Sequence, residues 1–184
     1  REVETMYERS YGYRYDEPEQ VTGKSYASAA DIAKMIRADI KQAIAEGLLP
    51  SKPVTYSVRA RNFAGGCAID VEARGWPEAW QQCEGIKVGT KREHEGGGWT
   101  ATACSNHWCK AREDRPGAEF HEVLTEEGQV ALMTLERIHG AYNHDGSESM
   151  VDYFDVRYYG HAEIETAWSA KFRADQKAKK AAQA

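Results

Sequence analysis

Residues 54–75 read VTYSVRARNFAGGCAIDVEARG, and this stretch decides the fold. Val54, Tyr56, Val58 and Ala60 alternate with Thr55, Ser57, Arg59 and Arg61. Past Gly65-Gly66, the residues Cys67, Ile69, Val71 and Ala73 alternate with Ala68, Asp70, Glu72 and Arg74. A period of two puts successive side chains on opposite faces, so these are two half-buried strands joined by a glycine turn, a hairpin. Its wet face sets Arg59 and Arg61 against Asp70 and Glu72, cross-strand pairs worth about a few tenths of a kcal/mol.

Upstream, the period changes to that of a helix. Ser28-Ala-Ala-Asp31 is a capping box, in which both side chains answer exposed backbone N–H groups. Ile32, Ile36, Ile40 and Ile44 follow at four-residue intervals with Met35 beside them, one apolar stripe. Gly47 stands where a left-handed cap belongs, and Pro50 and Pro53 prevent continuation, which predicts a core-facing helix over 29–46.

Downstream, the middle segment 75–118 is irregular. WPEAWQQCEG reads as a short helix begun by Pro77, while IKVGT and WTATACSNHW read as a second hairpin around EHEGGG. Thr125 caps a further helix carrying Val130, Ala131, Leu135, Ile138 and Tyr142 toward the core. After Asp145-Gly146, a strand alternates Phe154, Val156 and Tyr158 inward with Tyr153, Asp155, Arg157 and Tyr159 outward. A last helix over 162–180 carries Ile164, Trp168 and Phe172. The order α-β-β-(β-β)-α-β-α predicts an α+β fold with helices on one face of a mainly antiparallel sheet. It comprises a tyrosine-rich arm over 1–25, one domain over 26–174 with an insert at 75–118, and a Lys/Ala-rich tail over 175–184.

The 184 residues suit a single domain with appendages. Five tryptophans and ten tyrosines bring enough ring area to offset chain entropy, and 29% charged residues with a mean hydropathy of −0.71 predict a soluble protein. No apolar run is long enough to cross a bilayer and no signal peptide is evident, so no membrane partner is expected. The net charge is −5, with a +4 balance from Ala170 onward and −9 on the rest. An acidic body with a short basic tail lacks the broad basic face of a nucleic-acid platform. Without an export signal, Cys67, Cys83, Cys104 and Cys109 are expected as reduced thiols in a cytoplasm.

The motifs AADIAKMIRADIKQAI, TYSVRARNFAGGCAIDVEARG and YNHDGSESMVDYFDVRYYG stand in an order similar to that of a known family. The matching residues are Ile36-Arg37, Tyr56 to Arg59, Gly65-Gly66, Ala68 to Val71, and Tyr142 to Val156. On these the chain resembles the large polyvalent protein associated domain family of phages and conjugative elements, over residues 26–160 apart from the insert. The resemblance implies a protein expressed or delivered by a mobile element in a bacterial host cytoplasm, with host-takeover or anti-defence roles nearby. It assigns no catalytic residue.

Three constellations carry chemistry. Cys104, His107 and Cys109, with Cys83 and His94 upstream, offer soft ligands for zinc. The second knuckle is missing, so thiols filling a core are preferred to a structural zinc site and no cofactor is expected. Asn143, Asp145, Ser147 and Ser149 alternate like calcium ligands, yet Glu148 and Phe154 occupy the sixth and twelfth positions, where an EF-hand loop needs glycine and glutamate. A turn in which Asp145 and Ser147 bond backbone N–H groups is the better account. His144-Asp145, His121-Glu122 and His161 come without a nucleophile motif, so the balance leans away from an enzyme. The expected function is non-catalytic binding of a host or phage protein through Tyr153, Asp155, Arg157, Tyr159 and Asp145. The alternative is nucleic-acid binding by Tyr11, Tyr13, Arg14 and Tyr15 together with the basic tail, and a third is an enzyme of unknown type.

Overall fold

Ser28 opens the first long helix as its motif requires. Its hydroxyl accepts from Asp31 N at 3.3 Å, and the Asp31 carboxylate accepts from Ser28 N at 3.1 Å. The computed structural model describes residues 12–83, 87–91, 100–104, 122–145, 147 and 155–182, with backbone alone for 87–91 and 100–104. In chain order the elements are α1 (Glu17–Thr22), α2 (Ala29–Ala45), β1 (Thr55–Phe63), β2 (Gly66–Arg74), a 3-10 turn (Pro77–Ala79), β3 (Trp80–Gln82), β4 (Lys87–Lys91), β5 (Thr100–Cys104), β6 (Glu122–Leu124), α3 (Glu126–Gly140), β7 (Ala162–Ile164) and α4 (Ala167–Ala181). The fold is α+β.

Backbone contacts divide the chain into two compact units, 1–75 with 130–164 and 76–129 with 165–184, where the sequence suggests one domain over 26–174. In the first unit β1 and β2 pair antiparallel from Thr55↔Arg74 to Phe63↔Gly66, closed by the two-residue loop Ala64-Gly65 with Gly65 at φ 89. β7 adds to β2 in parallel, Val71↔Ala162 to Ala73↔Ile164, giving a mixed sheet in the order β1-β2-β7. α2 packs on β1 and β2. Ile32, Ile36 and Ile40 of α2 are buried together with Val58, Ile69, Val71 and Ala73, the inward sets of the two periodicities. Full burial of each branched side chain among them contributes about 1.5–3 kcal/mol.

In the second unit β3 pairs with β6 and β4 with β5, both antiparallel. The β4–β5 hairpin is the one predicted around EHEGGG. The β3–β6 pair was not legible, because three-residue strands are too short to show a period. Trp80 Nε1 donates to Glu165 O at 2.9 Å, Thr125 N donates to Ala79 O at 2.8 Å, and Glu122 Oε1 accepts from Ala167 N at 3.1 Å at the start of α4.

The C-terminal third departs from expectation. The predicted strand around 153–159 is reduced, among its described residues, to bridges Asp145↔Val156 and Ala68↔Tyr159, and the true strand lies at 162–164. α4 begins at Ala167 rather than 162, because Thr166 caps it, its hydroxyl accepting from Ser169 N at 3.1 Å. Gly160 at φ 121 separates the Tyr159 bridge from β7, in a backbone region that side chains resist. Val130, assigned to the core, is 57% exposed, whereas Ala131, Leu135, Ile138 and Tyr142 are buried as predicted. No described helix is long and apolar enough to cross a membrane.

Candidate functional site on the outer sheet face

Even-numbered residues of β2 and odd-numbered residues of β1 share one face, as the alternation predicts, but Ala68 on that face is buried and Ala60 on the other is exposed. At its hairpin end Phe63 and Tyr159 lie with ring centroids 5.9 Å apart, 47% and 43% exposed. Gly66 makes this arrangement feasible, since a Cβ there would stand 3.2–3.3 Å from both rings. Next to the aromatic pair, Arg61 reaches Asp70 at 3.2 Å. Register sets Arg59 opposite Asp70, yet the ion pair forms on the diagonal, and Glu72 turns to Arg74 on its own strand. His161 stands 3.7 Å from Asp70 and 3.4 Å from Glu163. An apolar ring and a phenol, flanked by guanidiniums on a half-wet sheet, make a surface of the composition that anchors macromolecular contacts.

The predicted site residues separate into three groups. Tyr159 is on this face. Asp155 and Asp145 are exposed beyond it: Asp145 Oδ1 accepts from Ser147 N at 3.0 Å, and Ser147 Oγ accepts from Asp155 N at 2.9 Å. That is the local turn chemistry expected of these residues, and the hydrogen bond from Ser147 holds the Asp145 carboxyl below its ordinary value. Tyr153 and Tyr11 lie outside the described residues.

Arg157, expected on the outer face, is buried, with its side chain 3% exposed. Its guanidinium donates to Tyr15 O and Glu19 Oε1 and lies 4.5 Å from the centre of the Tyr15 ring. The bridge at Tyr159 and the turn at Gly160 leave residue 157 outside any regular pleat, so alternation no longer assigns its face. Burial works to raise the Glu19 carboxyl, but the Arg157 guanidinium and the Ala27 N–H outweigh it and hold the group below its ordinary value.

The arm residues are likewise committed to structure. Gly12 N donates to Gly140 O and Arg14 N to Ala141 O, both at 2.9 Å. Arg14 pairs with Glu17 at 2.7 Å and Asp39 at 2.6 Å and lies 4.6 Å over the Tyr142 ring. Burial together with the Asp39 carboxylate, which accepts its hydroxyl, pushes Tyr142 far above a normal phenol. Tyr15 packs 4.8 Å from His144, and Tyr13 is exposed. The segment 12–26 is thus strapped to its unit by two arginines, and it contains the short helix α1, which the charge-rich sequence hides. Asn143 was also missed as a structural residue. Buried, it donates Nδ2 to Tyr158 O at 2.9 Å and accepts Tyr158 N at 3.1 Å, its amide imitating a strand neighbour.

Of the metal candidates, Cys83 is buried and Cys104 ends β5, while His107, Cys109 and His94 lie outside the described residues. Among the described residues no group of three or more His, Cys, Asp or Glu side chains is gathered as metal ligands. His139 is buried and donates Nε2 to Ile69 O at 2.9 Å, and burial holds its pKa below the ordinary value. His144 stands 3.7 Å from Asp155 on the open surface.

Set against known proteins, no family model, no curated protein and no solved structure matches the chain.

Proposed function

We propose that this α+β protein is an accessory factor of a phage or mobile element, of the polyvalent-protein kind its motifs resemble. In this reading it acts in the bacterial cytoplasm by non-catalytic binding of a host or phage protein. The observation that carries the reading is the exposed Phe63–Tyr159 pair beside Arg61 on the outer sheet face. Aromatic and arginine side chains dominate binding energy at protein interfaces, and here Phe63 is held by the hairpin while Tyr159 is held by its bridge to Ala68. Arg157 is not part of the proposed contact, because it is occupied internally. Against the nucleic-acid alternative stands the commitment of Arg14 and Tyr15 to intramolecular contacts.

The test is capture from host lysate by tagged protein, comparing wild type with the Phe63→Ala, Tyr159→Ala double variant. Loss of one partner with unchanged circular dichroism supports the reading, and an unaltered capture profile refutes it. A gel shift with short RNA or DNA that weakens steeply with salt would favour the alternative.

A further inference from the structure

A groove of about 730 Å3 opens along the far edge of β1, between that strand and α2. Ala30 and Ala33 of α2 line one side, Ala30 exposed and Ala33 fully buried, and the small Ala30 side chain leaves room for a backbone to approach. Arg37, Arg59 and Arg61 also line it. The acid among its lining residues, Asp70, is already paired with Arg61.

The strand edge itself is open. Among the described residues β2 is the sole neighbour of β1 in the sheet. Because the hairpin closes on the pair Phe63↔Gly66, odd-numbered residues of β1 turn N–H and C=O toward β2 and even-numbered ones turn them outward. β2 shows the complementary parity: Ile69 N donates to Tyr159 O, Val71 N to His161 O, and Cys67 O accepts from Tyr159 N. Of the outward groups of β1, Val58 O accepts from Arg37 Nη2. The N–H groups of Val58, Ala60 and Asn62 have no partner among the described residues.

We infer that the β1 edge binds an extended acidic peptide as an added strand, with acidic side chains alternating with small apolar ones. Added strands take affinity from main-chain bonds and specificity from alternate side chains. Here one set of the peptide's side chains meets Arg59 and Arg61 on the outer face, and the other lies over Ala30. Arg37 then moves from Val58 O to a carboxylate, and an incoming N–H takes the carbonyl it leaves. A second copy of β1 is a poor occupant, because it would set Arg59 and Arg61 against like charges. A phosphodiester is also poor, since it accepts hydrogen bonds but cannot donate to the outward carbonyls. This site shares Arg61 with the surface of the aromatic pair but is read by peptide binding rather than by partner capture, so failure of capture in the Phe63 and Tyr159 variant leaves its test intact.

The test uses the full chain and a fluorescein-labelled nine-residue peptide, the length of β1, alternating glutamate with alanine, read by fluorescence anisotropy. The expected result is binding that weakens with salt, with no binding of the lysine–alanine counterpart. Arg59→Ala with Arg61→Ala weakens it about 10-fold. Ala60→Pro abolishes it with circular dichroism unchanged, because that N–H lies outside the ladder and proline is tolerated on such an edge. Should that variant fail to fold, two peptides N-methylated on alternate amides replace it, one losing and one keeping affinity. Equal binding of acidic and basic peptides, no binding, or retention by both methylated peptides overturns the proposal. So does tighter binding of an oligothymidylate, or a dimer that Ala60→Pro disperses.

Discussion

Replacing Arg157 by alanine tests whether the 12–26 segment belongs to the folded unit. The guanidinium is almost wholly buried, bonded to Tyr15 O and Glu19 and stacked 4.5 Å over the Tyr15 ring. Removing one member of a buried pair costs about 3–5 kcal/mol, chiefly because the other charge is stranded. Glu19 keeps 26% exposure and its bond from Ala27 N at 2.8 Å, so its carboxylate regains some water and the cost falls to the low end, about 3 kcal/mol. For a unit of 110 residues that lowers its own melting midpoint by about 12 °C.

The two units can be followed apart. All five tryptophans fall in 76–129 and 165–184, and all ten tyrosines fall in 1–75 and 130–164. Tyrosine emission and amide exchange at 15–27 should therefore shift while the tryptophan transition stays nearly fixed. A double-mutant cycle with Glu19→Gln should return a coupling of about 1.5 kcal/mol or more. A loss below about 1 kcal/mol with 15–27 still protected from exchange would refute the strapping argument.

Further outcomes follow from other parts of the molecule. Gly160→Ala should cost about 3 kcal/mol or more in urea denaturation, since φ is 121 and a Cβ would collide with Ile69 O. Ser28→Ala removes the capping box and should lower stability by about 1 kcal/mol by the same measurement. His139 is depressed by burial below its ordinary 6.5, so the unfolded chain protonates first. Its stabilising contribution is complete above that value and is lost as pH falls through the folded pKa, with a slope of at most about 1.4 kcal/mol per pH unit. Denaturation at a series of pH values should show this slope in wild type and lose it in His139→Gln. Phe63→Ala with Tyr159→Ala should leave the melting midpoint within about 3 °C of wild type, because both rings are nearly half exposed.

The sequence by itself determined whatever repeats with a local period. Ser28-Ala-Ala-Asp31 and the isoleucines place α2 to within one residue of its end, and alternation on either side of the glycine turn gives the hairpin and the buried set Val58, Ile69, Val71 and Ala73. Arg59 and Arg61 were therefore identifiable as surface residues. Tertiary structure decided the rest, because it turns on partners distant in sequence. Arg157 is interior because Glu19, 138 residues earlier, is there to receive it, and Arg14 is occupied because Asp39 and Tyr142 meet it. β7 is a strand by virtue of β2, since three residues carry no period but gain a ladder once the sheet is formed. The open edge of β1 belongs to the same category: a strand reveals its pattern in sequence, while its lack of a second neighbour exists only in the assembled sheet.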